Sequence, residues 1–188
     1  MKPFVKSTLS PCFLEIYMTK KITPSELTET EFLAIFGGAF EKSPWIAEAL
    51  FQSGMVEAFN SAEGLHDAMA GIFKASTHER RLNVLLAHPD LAGKLAQRGE
   101  LTPESTNEQK SAGLGQLTPE EFSKFQDLNT AYMDKHGFPF IIAVKGLTKS
   151  EILTQFKIRV NNSNSVEFDE ACMQVEKIAK LRITEILD

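Results

Sequence analysis

Three side chains that can take part in acid–base chemistry, His88, Ser105 and Glu108, lie close together in the sequence. An apolar helical pattern ends at His88, because Pro89 disfavours the α conformation of the residue before it. The sequence therefore predicts His88 at the carboxyl end of a helix, where the partial negative charge of the dipole favours the imidazolium. Ser105 is predicted to open the next helix. The pattern therefore places an imidazole, a hydroxyl and a carboxylate at two helix ends joined by a loop.

Ser105 and Glu108 also fit a purely structural role. Ser-x-x-Glu is the spacing of a capping box, in which each side chain bonds the backbone N–H of the other residue. A Glu108 that bonds a substrate cannot cap the helix fully at the same time, whereas Ser105 can do both. From the residues alone, capping and catalysis both stay open.

Arg159 is predicted to face the protein core, because Ile152, Phe156 and Arg159 share one face of a helix. A buried guanidinium needs an anionic partner. That partner is either a glutamate, in a buried ion pair, or a bound anion, in a pocket. Arg182 also falls near the inner face of its helix and is the alternative arginine.

The elements that must position these side chains are helices. Apolar residues recur at helical spacing along the chain, alternating strand patterns are absent, and Thr-x-x-Glu helix starts occur at residues 23–26, 118–121 and 148–151. The sequence predicts an all-α domain of about eight helices. The predicted helices include residues 32–40, 45–54, 62–73, 79–87, 122–136, 152–161 and 166–187.

Residues 138–144 do not fit a helix. The segment Phe-Pro-Phe-Ile-Ile-Ala-Val is apolar, contains proline and is too short for a buried helix. It is predicted to be extended and buried, and its backbone N–H and C=O groups then need hydrogen-bond partners outside a sheet. Those partners are either a polar small molecule, or water and side chains.

Composition excludes several classes of protein. The 188 residues suit one domain, and a net charge of −5 argues against a nucleic-acid partner. No apolar run approaches the roughly 20 residues of a membrane span. Cys12 and Cys172 are too few for a disulfide framework or a zinc site. The cytoplasm is the expected compartment. Residues 1–17 are expected to be a loose extension, and residues 18–188 the helical domain.

The order and spacing of several short motifs together resemble one family. The motifs are His88-Pro89, Ser105, Glu108-Gln109, Ala112-Gly113, Asn129, Tyr132, the run GFPFIIAVKG at 137–146, and Arg159. From about residue 23 to residue 187, this pattern resembles the decarboxylases of purine catabolism that act on 2-oxo-4-hydroxy-4-carboxy-5-ureidoimidazoline (OHCU).

The resemblance implies a lyase that converts OHCU to (S)-allantoin in urate degradation, without metal or cofactor and as a homodimer. It implies proton transfer by His88, substrate orientation by Glu108 and anion binding by Arg159 rather than Arg182. The implied substrate-binding residues are Pro89, Ser105, Gln109, Phe138, Phe140, Ile141 and Ile142. The alternatives are a helical interaction protein without catalysis, or an enzyme acting on another ureido compound.

Overall fold

Eight α-helices can be bounded in the computed structural model, which describes residues 22–93, 96 and 98–188. They are α1 (Glu29–Phe36), α2 (Trp45–Ser53), α3 (Ala62–Ala75), α4 (His78–Ala87), α5 (Pro103–Ser111), α6 (Pro119–His136), α7 (Lys149–Arg159) and α8 (Asn164–Leu187). The described residues contain no β-strand, which confirms the predicted all-α class. The predicted extension at residues 1–17 lies outside the described residues.

None of these helices has the character of a membrane span. Within the described ranges, none of them is both long enough and apolar enough to span a bilayer.

Local capping chemistry sets several of the helix starts. Thr118 and Thr148 each form a complete capping box with the glutamate three residues later, as predicted. The prediction at residues 23–26 is wrong, because this stretch is a single 3-10 turn, Pro24–Glu26, and Thr23 makes no side-chain cap. Leu27 has an extended backbone conformation, and Thr28 and Glu31 form the capping box of α1 instead.

Helix α1 is shorter than the apolar pattern predicts. It ends at Phe36, and residues 37–44 form a turn that leads into α2. Phe40, which was expected to extend the helix, is buried in this turn. Lys42 has φ of 47°, a left-handed conformation that is uncommon for a residue with a side chain. The turn therefore has a specific shape, and it brings Glu41 into the protein interior.

Helix α8 is the longest element and forms the centre of the core. Its inner positions, Ala171, Val175, Ala179 and Ile183, are almost completely buried and follow the spacing of one helix face. This face packs mainly against α3, and α8 also contacts α4 and α6. The buried face continues through Arg182, so a charged side chain is carried into the interior by an otherwise apolar helix.

Residues 138–144 form a buried connection between α6 and α7 with no regular secondary structure, as predicted. Side chains of the last two helices supply backbone partners for this segment. The Arg159 Nη1 donates to the carbonyl oxygen of Ile141 at 2.8 Å, and the N–H of Ala143 donates to the Gln174 Oε1 at 3.0 Å. The sequence left open whether a small molecule, or water and side chains, would bond this backbone. For the Ile141 carbonyl and the Ala143 N–H, the partners are protein side chains.

Candidate active site

A cleft between the ends of α4, α5 and α8 and the segment 138–144 gathers most of the predicted site residues. Its empty space is about 350 Å³, including the part open to solvent. The lining residues are His88, Pro89, Leu91, Ser105, Glu108, Gln109, Phe140, Ile141, Ile142, Val144, Ile178 and Arg182. Seven of these twelve residues are apolar and five are polar or charged, a mixture that suits a small polar molecule.

His88 ends α4 in an extended conformation, as Pro89 requires. Its Nδ1 lies 2.8 Å from the carbonyl oxygen of Val84, one turn earlier in the helix. Because a carbonyl only accepts hydrogen bonds, Nδ1 carries the hydrogen and Nε2 holds the lone pair in the neutral ring. Nε2 is buried and has no hydrogen-bond partner among the described residues. His88 therefore offers an unused proton acceptor at the cleft.

The helix dipole, which favours the imidazolium, does not determine the charge of His88. Burial disfavours the charged ring and lowers the pKa of His88 to about 4. The hydrogen bond to Val84 and the charge of Glu41 act in the opposite direction, and the charge of Arg182 adds to the effect of burial. The helix dipole is a weak effect compared with full desolvation of an imidazolium, so the ring is neutral at pH 7.

The capping-box interpretation of Ser105 and Glu108 is wrong. Helix α5 begins at Pro103, and its N-cap is Thr102, whose hydroxyl accepts from the N–H of Ser105. Ser105 and Glu108 therefore lie inside the helix, three residues apart on one face. Neither side chain is needed to start the helix, and both point to the cleft.

Arg182 is the arginine that lines the cleft. Its Nε and Nη2 donate to the two carboxylate oxygens of Glu108 at 2.7 and 2.9 Å, a bidentate pair. Nη1 donates to the carbonyl oxygen of Gly38 at 3.1 Å, and Nη2 also lies 3.3 Å from the Ser105 hydroxyl. Burial opposes its charge, but Glu108 and Glu41 raise the pKa of Arg182 above its ordinary value.

Glu41 is a site residue that sequence analysis missed. One of its carboxylate oxygens accepts from the Ser105 hydroxyl and lies 2.9 Å from the Arg182 Nη2. Burial raises the pKa of Glu41, but Arg182 outweighs this effect and, with His88 and Ser105, holds the pKa below its ordinary value. Nothing in the sequence indicated this role, since a glutamate beside a lysine in a turn is usually exposed.

Arg159 and Phe138 do not line this cleft, contrary to expectation. The Nε of Arg159 donates to the Oε1 of Glu167 at 2.9 Å, and its Nη2 also pairs with that oxygen. Glu167, at the start of α8, is thus the anionic partner that the buried guanidinium requires. Phe138 packs edge-on against Tyr132 and Phe168 instead. Arg159 supports the cleft from behind, through the Ile141 carbonyl.

Gln109 lines the cleft, but its amide is committed to the loop after His88. Its Oε1 accepts from the N–H of Ala92 at 2.9 Å, and its Nε2 lies 3.4 Å from the carbonyl oxygen of Asp90. Asn129 on α6 donates to the carbonyl oxygen of Leu91 at 2.9 Å. These amides fix the loop that begins at Pro89, and through it the end of α4.

Together, the fold and the cleft define an all-α protein with a buried acid–base site made of a neutral imidazole, a guanidinium and carboxylates. The sequence profile described as OHCU decarboxylase matches residues 25–184, and the chain belongs to that family.

Relatives and a solved structure share most of this chain. It is 38% identical over 169 residues to the 2-oxo-4-hydroxy-4-carboxy-5-ureidoimidazoline decarboxylase of Halalkalicoccus jeotgali, covering 88% of this chain and 92% of that protein. It is also 38% identical to the uric acid degradation bifunctional protein PucL of Bacillus subtilis, over 80% of this chain and 29% of PucL. A crystal structure of (S)-allantoin synthase matches with a TM-score of 0.68 and 33% identity, covering 88% of this chain and 53% of that one.

Proposed function

We propose that this protein decarboxylates OHCU to (S)-allantoin and CO₂ in urate degradation. The observation that carries the proposal is the placement of a neutral His88, with a free Nε2, in the same cleft as Arg182 and Glu108. Such a cleft combines a proton acceptor with a cation for an anionic substrate. The family to which the chain belongs supplies the substrate class.

The bonds and protons that change in this reaction define what the site must do. The bond between the ring carbon and its carboxylate breaks, CO₂ leaves, and the electron pair stays on the ring. The hydroxyl on that carbon loses its hydrogen to become the carbonyl of allantoin, while the neighbouring ureido-bearing carbon gains a hydrogen. The double bond between the ureido-bearing carbon and its ring nitrogen becomes a single bond, and that nitrogen takes up the one further proton that the carboxylate form of the substrate needs from solvent. No oxidant or reductant enters this balance, so we propose a cofactor-free reaction.

His88 is proposed to move the proton. Its Nε2 accepts the hydroxyl hydrogen of the substrate, and Nδ1 keeps its hydrogen bond to Val84 throughout. Because burial lowers the pKa of His88, the imidazolium formed in this step gives up its proton readily. This supports return of the proton to the ring carbon of the substrate.

Arg182 and Glu108 are proposed to hold the substrate. Arg182, rather than Arg159, binds the oxygen on which negative charge collects as CO₂ leaves. Glu108 has a side chain that is 28% exposed, so it can turn from Arg182 to the hydroxyl or ureido groups of the substrate. Ser105 adds one hydrogen bond, and Phe140, Ile141 and Ile142 form the apolar wall.

Allantoin formation from freshly generated OHCU tests the proposal, with circular dichroism to follow the handedness of the product. Acceleration over the spontaneous reaction, with (S)-allantoin as the enantiomer formed, is the expected result. Activity on another ureido compound but not on OHCU would contradict the proposed substrate. No activity on any of them would favour a non-catalytic interaction protein.

We expect kcat/KM to fall on acidification through about pH 4. His88 must be neutral to accept a proton, and burial lowers its pKa to about 4, so the ring becomes protonated only below that pH. The charged groups near it are Glu108 and Arg182, which line the cleft, and the enclosed Glu41. The measurement is kcat/KM between pH 3.5 and 8, with circular dichroism at each pH to show that the protein stays folded. An acid limb near pH 6.5 would contradict the assignment.

Replacing Glu108 by Gln should reduce kcat/KM about tenfold or more, which corresponds to about 1.4 kcal/mol of transition-state stabilisation. The amide keeps the shape of the side chain but not its charge. Thr102→Ala is the matched control in the same helix. It removes the observed N-cap, so it should lower stability by about 1 kcal/mol and leave kcat/KM within about twofold. Steady-state kinetics and urea unfolding measure both effects, and equal kinetics in the two variants would contradict the role of Glu108.

We also propose a homodimer in the cytoplasm. Two exposed apolar side chains, Val166 and Met173, lie seven residues apart on one face of α8 and support a self-association surface. Light scattering at micromolar concentration is expected to give twice the chain mass. A monomer mass would remove this claim and leave the proposed chemistry intact, and cell fractionation tests the compartment.

A further inference from the structure

Arg182 has two carboxylate partners that differ sharply in their access to solvent. The side chain of Glu108 is 28% exposed, whereas that of Glu41 is 1% exposed. Glu108 holds the guanidinium through Nε and Nη2, and Glu41 holds it through Nη2 alone. One carboxylate is thus accessible from the cleft, and the other is enclosed behind the same cation.

The ion pair with Arg182 offsets the burial of the second carboxylate, but it does not explain why a second carboxylate is placed there. Burial of a charged group is costly, and the Arg182 charge is already paired with Glu108 in a bidentate contact. The other carboxylate oxygen of Glu41, Oε1, is buried without a hydrogen-bond partner among the described residues. The turn that carries Glu41 also includes the left-handed Lys42. Both features cost free energy in the folded state, which indicates that this carboxylate serves another purpose.

Turnover gives the second carboxylate a purpose. If Glu108 turns to the substrate, Arg182 loses its bidentate partner at the moment when negative charge develops beside it. Arginine has a long side chain with many rotamers, so a guanidinium held only by the Gly38 carbonyl and the Ser105 hydroxyl, both neutral acceptors, would lose its position. Glu41 cannot turn away, because it is enclosed and also accepts from Ser105.

We propose that Glu41 is a positioning residue, which keeps the Arg182 guanidinium and the Ser105 hydroxyl in place while Glu108 engages the substrate. This inference rests on the proposed function, since it assumes that Glu108 leaves Arg182 during turnover. It assigns the two carboxylates different tasks. Glu108 contacts substrate, and Glu41 acts only through Arg182 and Ser105.

The kinetics of Glu41→Gln test this assignment. We expect kcat to fall about tenfold or more while KM stays within about threefold, because Arg182 still carries its charge but is held less firmly during the reaction. Glu104→Gln is the control for loss of one negative charge near the site, since Glu104 is exposed on α5, next to Ser105. It should change neither constant. A Glu41→Gln enzyme with wild-type kcat would overturn the proposal, as would a loss that merely follows the folded fraction seen by circular dichroism.

The variant Glu41→Asp distinguishes the effect of losing the carboxylate charge from the effect of losing the fold. It retains the carboxylate but shortens its reach, so kcat should fall about threefold, less than in Glu41→Gln. If Glu41→Gln does not fold, a Glu41→Asp enzyme that folds and shows wild-type kcat overturns the proposal, because retraction of the carboxylate should already weaken its hold on Arg182. Equal losses in two folded variants would also overturn it, since charge would then not matter.

Nuclear magnetic resonance of the arginine side chains tests the inference without any substrate. In Glu108→Gln, the Nη hydrogens of Arg182 should remain in restricted rotation, because Glu41 still holds them. In the double variant Glu41→Gln/Glu108→Gln they should rotate freely. Free rotation in the single variant would overturn the role of Glu41 even if the protein accelerates OHCU decarboxylation. Restricted rotation together with an inactive wild-type protein would instead count against the proposed function alone.

Discussion

His88→Asn should lose about 10²–10⁴-fold in kcat while folding normally. The asparagine amide can still donate to the Val84 carbonyl, as Nδ1 does now, and asparagine is well tolerated at the end of a helix. What disappears is the Nε2 lone pair, which is the proton acceptor of the proposed reaction. The measurement is kcat on OHCU, with the melting temperature followed by circular dichroism.

His136→Asn is the matched control. His136 lies in the last turn of α6, is as buried as His88, and likewise has an Nε2 without a hydrogen-bond partner in the described chain. Its Nδ1 lies 2.9 Å from the Asn164 Oδ1, outside the cleft. This variant should keep kcat within about twofold. Similar losses in the two variants would mean that the effect comes from burial at a helix end and not from proton transfer.

Arg182→Lys should reduce kcat/KM about 100-fold or more. Lysine keeps the positive charge but cannot reproduce the planar fork that contacts both oxygens of Glu108, together with Glu41 and Gly38. A 100-fold loss corresponds to about 2.7 kcal/mol of transition-state stabilisation. Steady-state kinetics measure the loss, and unfolding curves show how much of it reflects stability.

Arg159→Lys is the comparison that separates the two buried arginines. Arg159 has the same kind of partner, Glu167, but lies behind the cleft wall. Lysine should therefore lower the melting temperature, by about 2–4 °C for each kcal/mol of stability lost in a chain of this size. The kcat/KM of the folded enzyme should stay within about threefold. If instead Arg159→Lys abolished turnover and Arg182→Lys did not, Arg159 would be the functional arginine, as the family resemblance implied.

Periodicity predicted that both arginines face inward, but it did not predict what each one meets. The inner face of α7 carries Arg159, and the inner face of α8 carries Arg182. Their roles differ because Glu167 reaches Arg159, whereas Glu41 and Glu108 reach Arg182. These partners come from distant parts of the chain, so the spacing within one helix carries no information about them.

Helix starts were predictable where the capping residues act locally. At α5, where Ser105 was wrongly predicted to open the helix, the sequence also contained a signal for the correct start. Thr102 is followed by Pro103, and proline at the first helical position favours the residue before it as the N-cap. Ser105 and Glu108 happen to have capping-box spacing one turn later. The charge of His88 was not predictable, because it depends on burial by residues far away in the sequence.

The contacts of Arg182 also constrain the order of folding. This one side chain, near the end of the last helix, joins Gly38 and Glu41 in an early turn to Glu108 in the middle of the chain. Until α8 has been synthesised and docked, a compact intermediate would enclose the Glu41 carboxylate without its cation, which is strongly unfavourable. We therefore expect no stable native-like state without α8, because a contact that completes the cleft joins residues 144 positions apart in sequence. On the ribosome, the cleft can form only after α8 has been synthesised.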